Sequence, residues 1–169
     1  MTETVVSVEE TMLIRPLGHP GDLGWVVQAH GELYASELAW DTSFEALVAK
    51  IVGDYAADHD PTREGAWIAE LDGQRVGCVF CVREDDTTAK LRVLLVHPDA
   101  RGHGAGNKLV STCIEFARNA GYERMALWTV AGLASARKIY EAQGFELEEE
   151  TPQHSFGHDV TGQLWARDL

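Results

Sequence analysis

The apolar positions of this chain change period several times, and each change marks an element. Phe44, Leu47, Val48, Ile51, Val52 and Tyr55 recur at i, i+3, i+4 and i+7, which puts them on one face of a helix. Thr42 followed three residues later by Glu45 is the pattern of a capping box, so Thr42 is expected to open that helix. An earlier helix is expected from Pro20 and Asp22, with Leu23, Val26, Val27, His30, Leu33 and Tyr34 sharing a face. Before it, residues 11–15 alternate as a strand that stops at Pro16. Residues 67–71 and 76–82 flank Asp72-Gly73-Gln74, and Asp-Gly supplies the positive φ of a tight hairpin turn. A polar loop follows at residues 84–86.

Residues 91–96 are almost continuously apolar, as expected of a central strand covered on both faces. Leu109, Val110, Cys113, Ile114 and Ala117 mark an amphipathic helix, with Gly121 placed to end it. A strand at 125–130, a short helix at about 133–143 closing on Gly144, and strands at about 145–151 and 159–167 complete the pattern. This order predicts a mixed α/β sheet with helices on both sides.

The length of 169 residues fits one domain. Residues 1–10 are expected to be a frayed start, and they lack the basic and apolar regions of a secretory leader. No apolar run approaches the roughly 20 residues that span a bilayer, so a cytoplasmic protein without membrane contact is expected. The formal charge of −13 is spread along the chain. It opposes a nucleic-acid backbone, mildly attracts a cationic amine, and obliges any anionic cofactor to find a local nest of amides. Cys78 and Cys81 are separated by an odd number of positions in a strand-like run, which sends them to opposite faces. With Cys113 they are expected to be buried, inert thiols and not metal ligands.

The segment from Val96 to Lys108 leads from a buried strand into a helix through Gly102, Gly104 and Gly106. Glycines there let amides converge, and the helix start adds partial positive charge, so a pyrophosphate fits. A Walker loop requires Lys followed by Ser or Thr, but Lys108 precedes Leu109. A dinucleotide fingerprint requires G-x-G-x-x-G, whereas these glycines alternate.

Val96-x-Pro98 followed by Arg101-x-x-Gly104-x-Gly106 resembles the signature with which GNAT acetyltransferases cradle the pyrophosphate of coenzyme A. Ala136 to Phe145 is similar to that family's second signature, A-x-x-x-Tyr-x-x-x-Gly-Phe. The resemblance spans roughly residues 11–168 and implies a mixed, mostly antiparallel seven-stranded sheet. It implies acetyl-coenzyme A as co-substrate, bound by Leu94, Leu95, Val96, Arg101, Gly102, His103, Gly104, Ala105, Gly106 and Asn107. It further implies acetyl transfer to a primary amine, more readily a small molecule than a protein, by direct attack. Amides around Leu95 and Val96 would stabilise the oxyanion if this strand splays from its neighbour. Tyr140 would protonate or hydrogen-bond the leaving thiolate. Pairing into a homodimer is frequent among proteins of this resemblance. The stretch His154-Ser155-Phe156-Gly157-His158-Asp159 resembles acetyltransferase domains that follow MarR-type regulators in some bacteria.

Two departures stand out. The glutamate that some members carry on the central strand is replaced by the run Lys90-Leu91-Arg92, and Leu133 stands where an asparagine is common. A general base must therefore come from elsewhere. His30, Tyr34 and Glu37 lie at i, i+4 and i+7 near the expected acceptor groove, and His154 and His158 are further candidates. Tyr34, Glu37, Trp40 and Asp41 hint at a cationic acceptor. The missing base also leaves room for a domain that binds acetyl-coenzyme A without turnover.

Overall fold

The computed structural model describes residues 11–169; the expected frayed start at 1–10 lies outside the described residues. The elements are β1 (Met12–Pro16), α1 (Asp22–Leu38), α2 (Thr42–Ala57), β2 (Gly65–Leu71), β3 (Gln74–Arg83), β4 (Thr88–Val96), α3 (Ala105–Asn119), β5 (Arg124–Val130), α4 (Ala134–Ala142), β6 (Glu146–Ser155) and β7 (His158–Asp168). The strands form one sheet in the order β1-β2-β3-β4-β5-β7-β6. Every neighbouring pair is antiparallel except β4 and β5. β4 is thus the middle strand of seven, as its unbroken apolar run requires.

Both faces of the sheet are covered. Val26 of α1 and Val48 and Val52 of α2 pack on Ile68, Cys78 and Phe80. On the other face Leu109, Val110, Cys113 and Ala117 of α3 meet Val79, Cys81, Leu91 and Met125, with Tyr140 of α4 in the same cluster. Cys78 and Cys81 therefore do face opposite sides, and all three thiols are buried. Asp72 and Gly73 both take positive φ, +51° and +78°, in the β2–β3 turn, the conformation that suits the twist of a two-residue hairpin. Gly121 follows α3 at φ +91°. Among the described residues no helix is long and apolar enough to cross a membrane.

Four expectations are corrected. Asp41, not Thr42, caps α2, its carboxylate accepting from the Ser43 amide at 3.0 Å. Glu45 instead lies against α1, its Oε1 occupying the space a Cβ on Gly31 would need. Leu23 and Leu47, placed by periodicity on buried faces, are each 38% exposed. The last hairpin is longer than expected and turns at Phe156 and Gly157, with φ of +58° and +83°. β6 is an edge strand whose side chains are almost all exposed, so it carries no alternation to read, and an edge tolerates Pro152.

Asp22 was expected only to open α1, but Gly21 takes the cap position and the Asp22 carboxylate is wholly buried. It accepts from Arg15 Nη1 and Nη2 at 2.8 and 2.9 Å, from Arg75 Nε at 2.8 Å, and from the Gly18 and His19 amides at 2.9 and 2.8 Å. Arg15 also donates to Glu70 at 2.6 Å. These donors hold the Asp22 carboxyl far below the usual carboxylate range, the Arg15 bond being the largest cause. The network ties β1, β2 and β3 to the start of α1.

Removing one partner of such a pair leaves a buried charge uncompensated, at a cost of about 3–5 kcal/mol. Asp22→Asn should accordingly lower Tm in a thermal melt by roughly 10 °C. Lys50→Gln, which breaks the exposed Lys50–Asp54 pair, should change it by about 2 °C or less.

Candidate active site

The parallel pairing of β4 with β5 lasts for Thr88↔Arg124, Ala89↔Met125 and Lys90↔Ala126 and then stops. Beyond Lys90 the two strands diverge, as expected for a strand that splays from its neighbour. The β3–β4 register shifts between Cys78 and Phe80, opposite Val93, which sits at φ +46°. Positive φ is a genuine outlier for a β-branched residue, and such strain persists where surrounding structure holds it. Here the Cys78 thiol donates to the Val93 carbonyl at 3.2 Å. Burial pushes that thiol well above its usual range, which makes it a structural plug and not a nucleophile.

On one side of the divergence lies a groove of about 660 Å³. Leu94, Leu95 and Val96 form one wall, the turn from Ala100 to Asn107 its end, and Leu133, Lys138 and Ile139 the other wall. Gly104 takes the cap position of α3 at φ +74°, which a residue with a side chain adopts only under strain. The amides of Gly102, Gly104, Ala105, Gly106 and Asn107 find no acceptor among the described residues. Together with the α3 dipole they are groups that could hold an anion. Two of the expected groups do not join them. The Arg101 and His103 amides donate to the Pro98 and Ala100 carbonyls at 3.2 and 3.4 Å, and the exposed His103 side chain does not line the groove.

Backbone amides alternate in direction along a strand. The His97 amide donates to Val76 of β3 at 2.6 Å, and the Leu95 amide, two residues earlier, also faces β3, beside the Cys78 thiol. The Val96 amide therefore points into the divergence. Of the pair expected at an oxyanion, the geometry leaves Val96 and removes Leu95.

On the other side lies a cavity of about 450 Å³. It meets the groove at Tyr34, Leu94 and Leu133, which line both. Tyr140 lines this cavity, and its hydroxyl makes no hydrogen bond among the described residues. Burial pushes the phenol well above its usual range, so Tyr140 is a hydrogen-bond donor and a weak acid. His30 is 2% exposed. Its Nδ1–H donates to the Val26 carbonyl at 2.8 Å, which fixes the tautomer and leaves Nε2 bare. That Nε2 is buried and unpartnered among the described residues, and burial pulls the imidazole down to about 4. The ring stacks on Tyr34 at 6.0 Å between centroids.

His30 and Tyr34 thus reach the cavity, but Glu37 does not. Its carboxylate accepts from Arg101 Nη2 at 2.9 Å beside the groove. Asp41 is occupied as a helix cap, while Trp40 packs with Tyr34, Phe44 and Phe156 at centroid distances of 5.1, 4.8 and 4.5 Å. His154 bonds Asp159, and His158 Nε2 donates to the Ala39 carbonyl at 2.9 Å; both lie on strands and neither lines the cavity. Sequence reasoning missed Phe44, Phe156, Trp128 and the cations Lys90 and Arg92 as cavity walls. Lys90 and Arg92, both polar inside an apolar strand, were the one legible signal. No group of three or more His, Cys, Asp or Glu among the described residues could hold a metal ion.

A family model described as the acetyltransferase (GNAT) family matches residues 28–145. The chain is 40% identical over 96 residues to the N-acetylaspartate synthetase of Danio rerio, covering 56% of this chain and 34% of that protein. It is 36% identical over 106 residues to N-acetyltransferase 8B of Homo sapiens, covering 60% and 43%. The matches thus span about a third to two fifths of the length of these curated relatives. Among solved structures, the ribosomal-protein-alanine N-acetyltransferase from Brucella melitensis superposes with a TM-score of 0.74 at 23% identity, over 93% of this chain and 99% of that one. The putative acetyltransferase yncA from Salmonella typhimurium, with its cofactor acetyl-CoA, gives 0.76 at 21% identity, over 94% of each chain. At these identities the structural likeness speaks to fold.

A histidine held at about 4 in the folded chain against 6.5 when free gives stability a defined pH dependence. Between these values the unfolded chain binds the proton and the folded chain does not, so the contribution is complete above about 6.5 and is lost as pH falls to about 4. Its full size is roughly 3 kcal/mol. Urea titrations between pH 7 and pH 4 should show His30→Phe losing less stability over this window than the parent protein; equal slopes would remove His30 as the cause.

Proposed function

The chain belongs to the acetyltransferase (GNAT) family, and from that premise we propose that it transfers the acetyl group of acetyl-coenzyme A to the primary amine of a small molecule. One observation carries the reading: a groove ending in amides unpaired among the described residues opens, through the β4–β5 divergence, onto a cavity lined by Tyr140 and His30. The solved neighbour whose title names acetyl-CoA as its cofactor supports the same co-substrate.

The reading assigns each group a task. Amides of Gly102, Gly104, Ala105, Gly106 and Asn107 hold the pyrophosphate, with Lys138 lining the same groove. Leu94 and Leu133 then guide the thioester toward the cavity. The neutral amine lone pair attacks the thioester carbonyl carbon, a C–N bond forms, and the carbonyl oxygen becomes an oxyanion facing the Val96 amide. Collapse restores the carbonyl, breaks the C–S bond and releases coenzyme A as thiolate, while the amine nitrogen gives its extra proton to solvent water. Tyr140 donates a hydrogen bond to the departing sulfur. With its phenol raised above a thiol, full proton transfer is uphill, so the thiolate takes its proton from solvent. His30 accepts an N–H of the amine through Nε2 and orients the lone pair. At about 4 it is too weak a base to carry the proton away.

A second reading is favoured by the absence of any carboxylate among the described residues that line the cavity: a domain that binds acetyl-coenzyme A without turnover. The likeness of residues 154–159 to regulator-associated domains belongs with it.

Calorimetric titration with acetyl-coenzyme A, paired with a thiol-release assay over a panel of amines, separates the two. Turnover supports transfer; tight binding with no thiol release under any amine supports the second reading. Tyr140→Phe should cut kcat at least tenfold while the Kd for coenzyme A stays within about twofold, because the lost hydroxyl has no structural partner. An unchanged kcat would take Tyr140 out of the mechanism.

A further inference from the structure

The cavity beside Tyr140 has an electrostatic character opposite to that of the whole molecule. The chain carries 27 acidic against 14 basic residues, yet the charged side chains lining this cavity are Lys90 and Arg92. They stand at i and i+2 on β4, hence on one face of the strand, and that face looks toward α1 and α2. Both are half-buried, and burial lowers the pKa of each, with their mutual repulsion adding to the effect on Lys90.

Elsewhere the fold pairs its cations readily: Arg15, Arg75, Arg83, Arg101, Arg124 and Arg137 each reach a carboxylate. Lys90 and Arg92 reach none among the described residues. Arg92 feels the charge of Asp54 and Lys90 that of Glu84, but neither acid comes within ion-pair distance, and Asp54 is held by Lys50 at 2.6 Å. Two adjacent half-buried cations without counter-ions are costly, and a carboxylate bridging them relieves both the repulsion and the desolvation. A guanidinium fork is well matched to such a group. The rest of the wall is aromatic and aliphatic, with Phe44, Trp128, Phe156 and Ile51 prominent. Its volume of about 450 Å³ suits a molecule of amino-acid size.

We infer that the acceptor is an amino carboxylate with an apolar body, its anionic end held by Arg92 and Lys90 and its amine presented toward Tyr140 and His30. The inference rests on the acetyl-transfer reading for its chemistry, and it replaces the cationic acceptor hinted at by Glu37 and Asp41, which the fold employs elsewhere. A polyamine would bring two or more positive charges to a wall that already carries two.

The test compares matched acceptors: L-phenylalanine, L-leucine and L-methionine, each against its carboxamide, with spermidine as the polycation. Thiol release gives kcat/KM, and calorimetry in the presence of coenzyme A gives acceptor binding without turnover. The carboxylates should exceed their carboxamides at least tenfold in kcat/KM, chiefly through KM. In Arg92→Gln that ratio should fall at least tenfold toward unity. Lys90→Gln provides a second variant, and coenzyme A titration of each shows that it has folded. Thiol release with carboxamides or spermidine matching the carboxylates would overturn the inference and leave acetyl transfer standing. Carboxylate binding that Arg92→Gln abolishes, with no thiol release, would uphold the anion site and overturn transfer. Failure of every carboxylate both to bind and to react would overturn the inference.

Discussion

The separation of β4 from β5 is the constraint on which the site depends. Their ladder lasts only from Thr88 to Lys90 on one strand and from Arg124 to Ala126 on the other. Continued pairing would have consumed the backbone groups of Leu94 to Val96 and filled the space now shared by the groove and the cavity. What keeps the strands apart is local: Val93 at positive φ turns the chain, and the buried Cys78 thiol satisfies its carbonyl from the neighbouring strand. A single irregular residue in an otherwise apolar strand thereby converts part of a hydrophobic core into a passage between two chambers.

Charge is managed locally against a strongly acidic background. The groove answers its own need with backbone amides and a helix dipole, which are indifferent to net charge. The cavity uses the side chains of Lys90 and Arg92. The acids singled out on other grounds are committed elsewhere: Asp22 to Arg15 and Arg75, Glu37 to Arg101, Asp41 to the start of α2. Asp54, whose charge reaches Arg92, is held by Lys50 instead.

The periodicities announced the elements well wherever an element buries one face. The long helices, the Asp72-Gly73 turn, the central strand and the glycine turn of α3 all follow from that rule. β6 was expected to stop near residue 151 and runs to Ser155, because an edge strand with mostly exposed side chains has no period to mark its end. The cap of α2 shifted by one residue because Asp41 accepts from an amide two positions on, a geometry as good as the Thr42 capping box. Motif and spacing singled out Tyr140, His30 and Tyr34, and all three line the cavity. Glu37 was not, since helical spacing gives a face but not which of two adjoining chambers that face meets. Lys90 and Arg92 were visible as charges in an apolar run, but only the topology shows that they face a chamber and not solvent. The Asp22 network joins residues from four elements and has no sequence signature at all.

β7 follows β6 along the chain, yet it lies between β5 and β6 in the sheet, and the turn that precedes it seats Phe156 against Trp40 and Phe44, more than a hundred residues earlier. During synthesis on the ribosome, β6 therefore has no neighbour to dock on until β7 has left the exit tunnel. The part of the cavity wall supplied by Gln153, Ser155 and Phe156 is therefore set in place only after the helices and the glycine turn have been made.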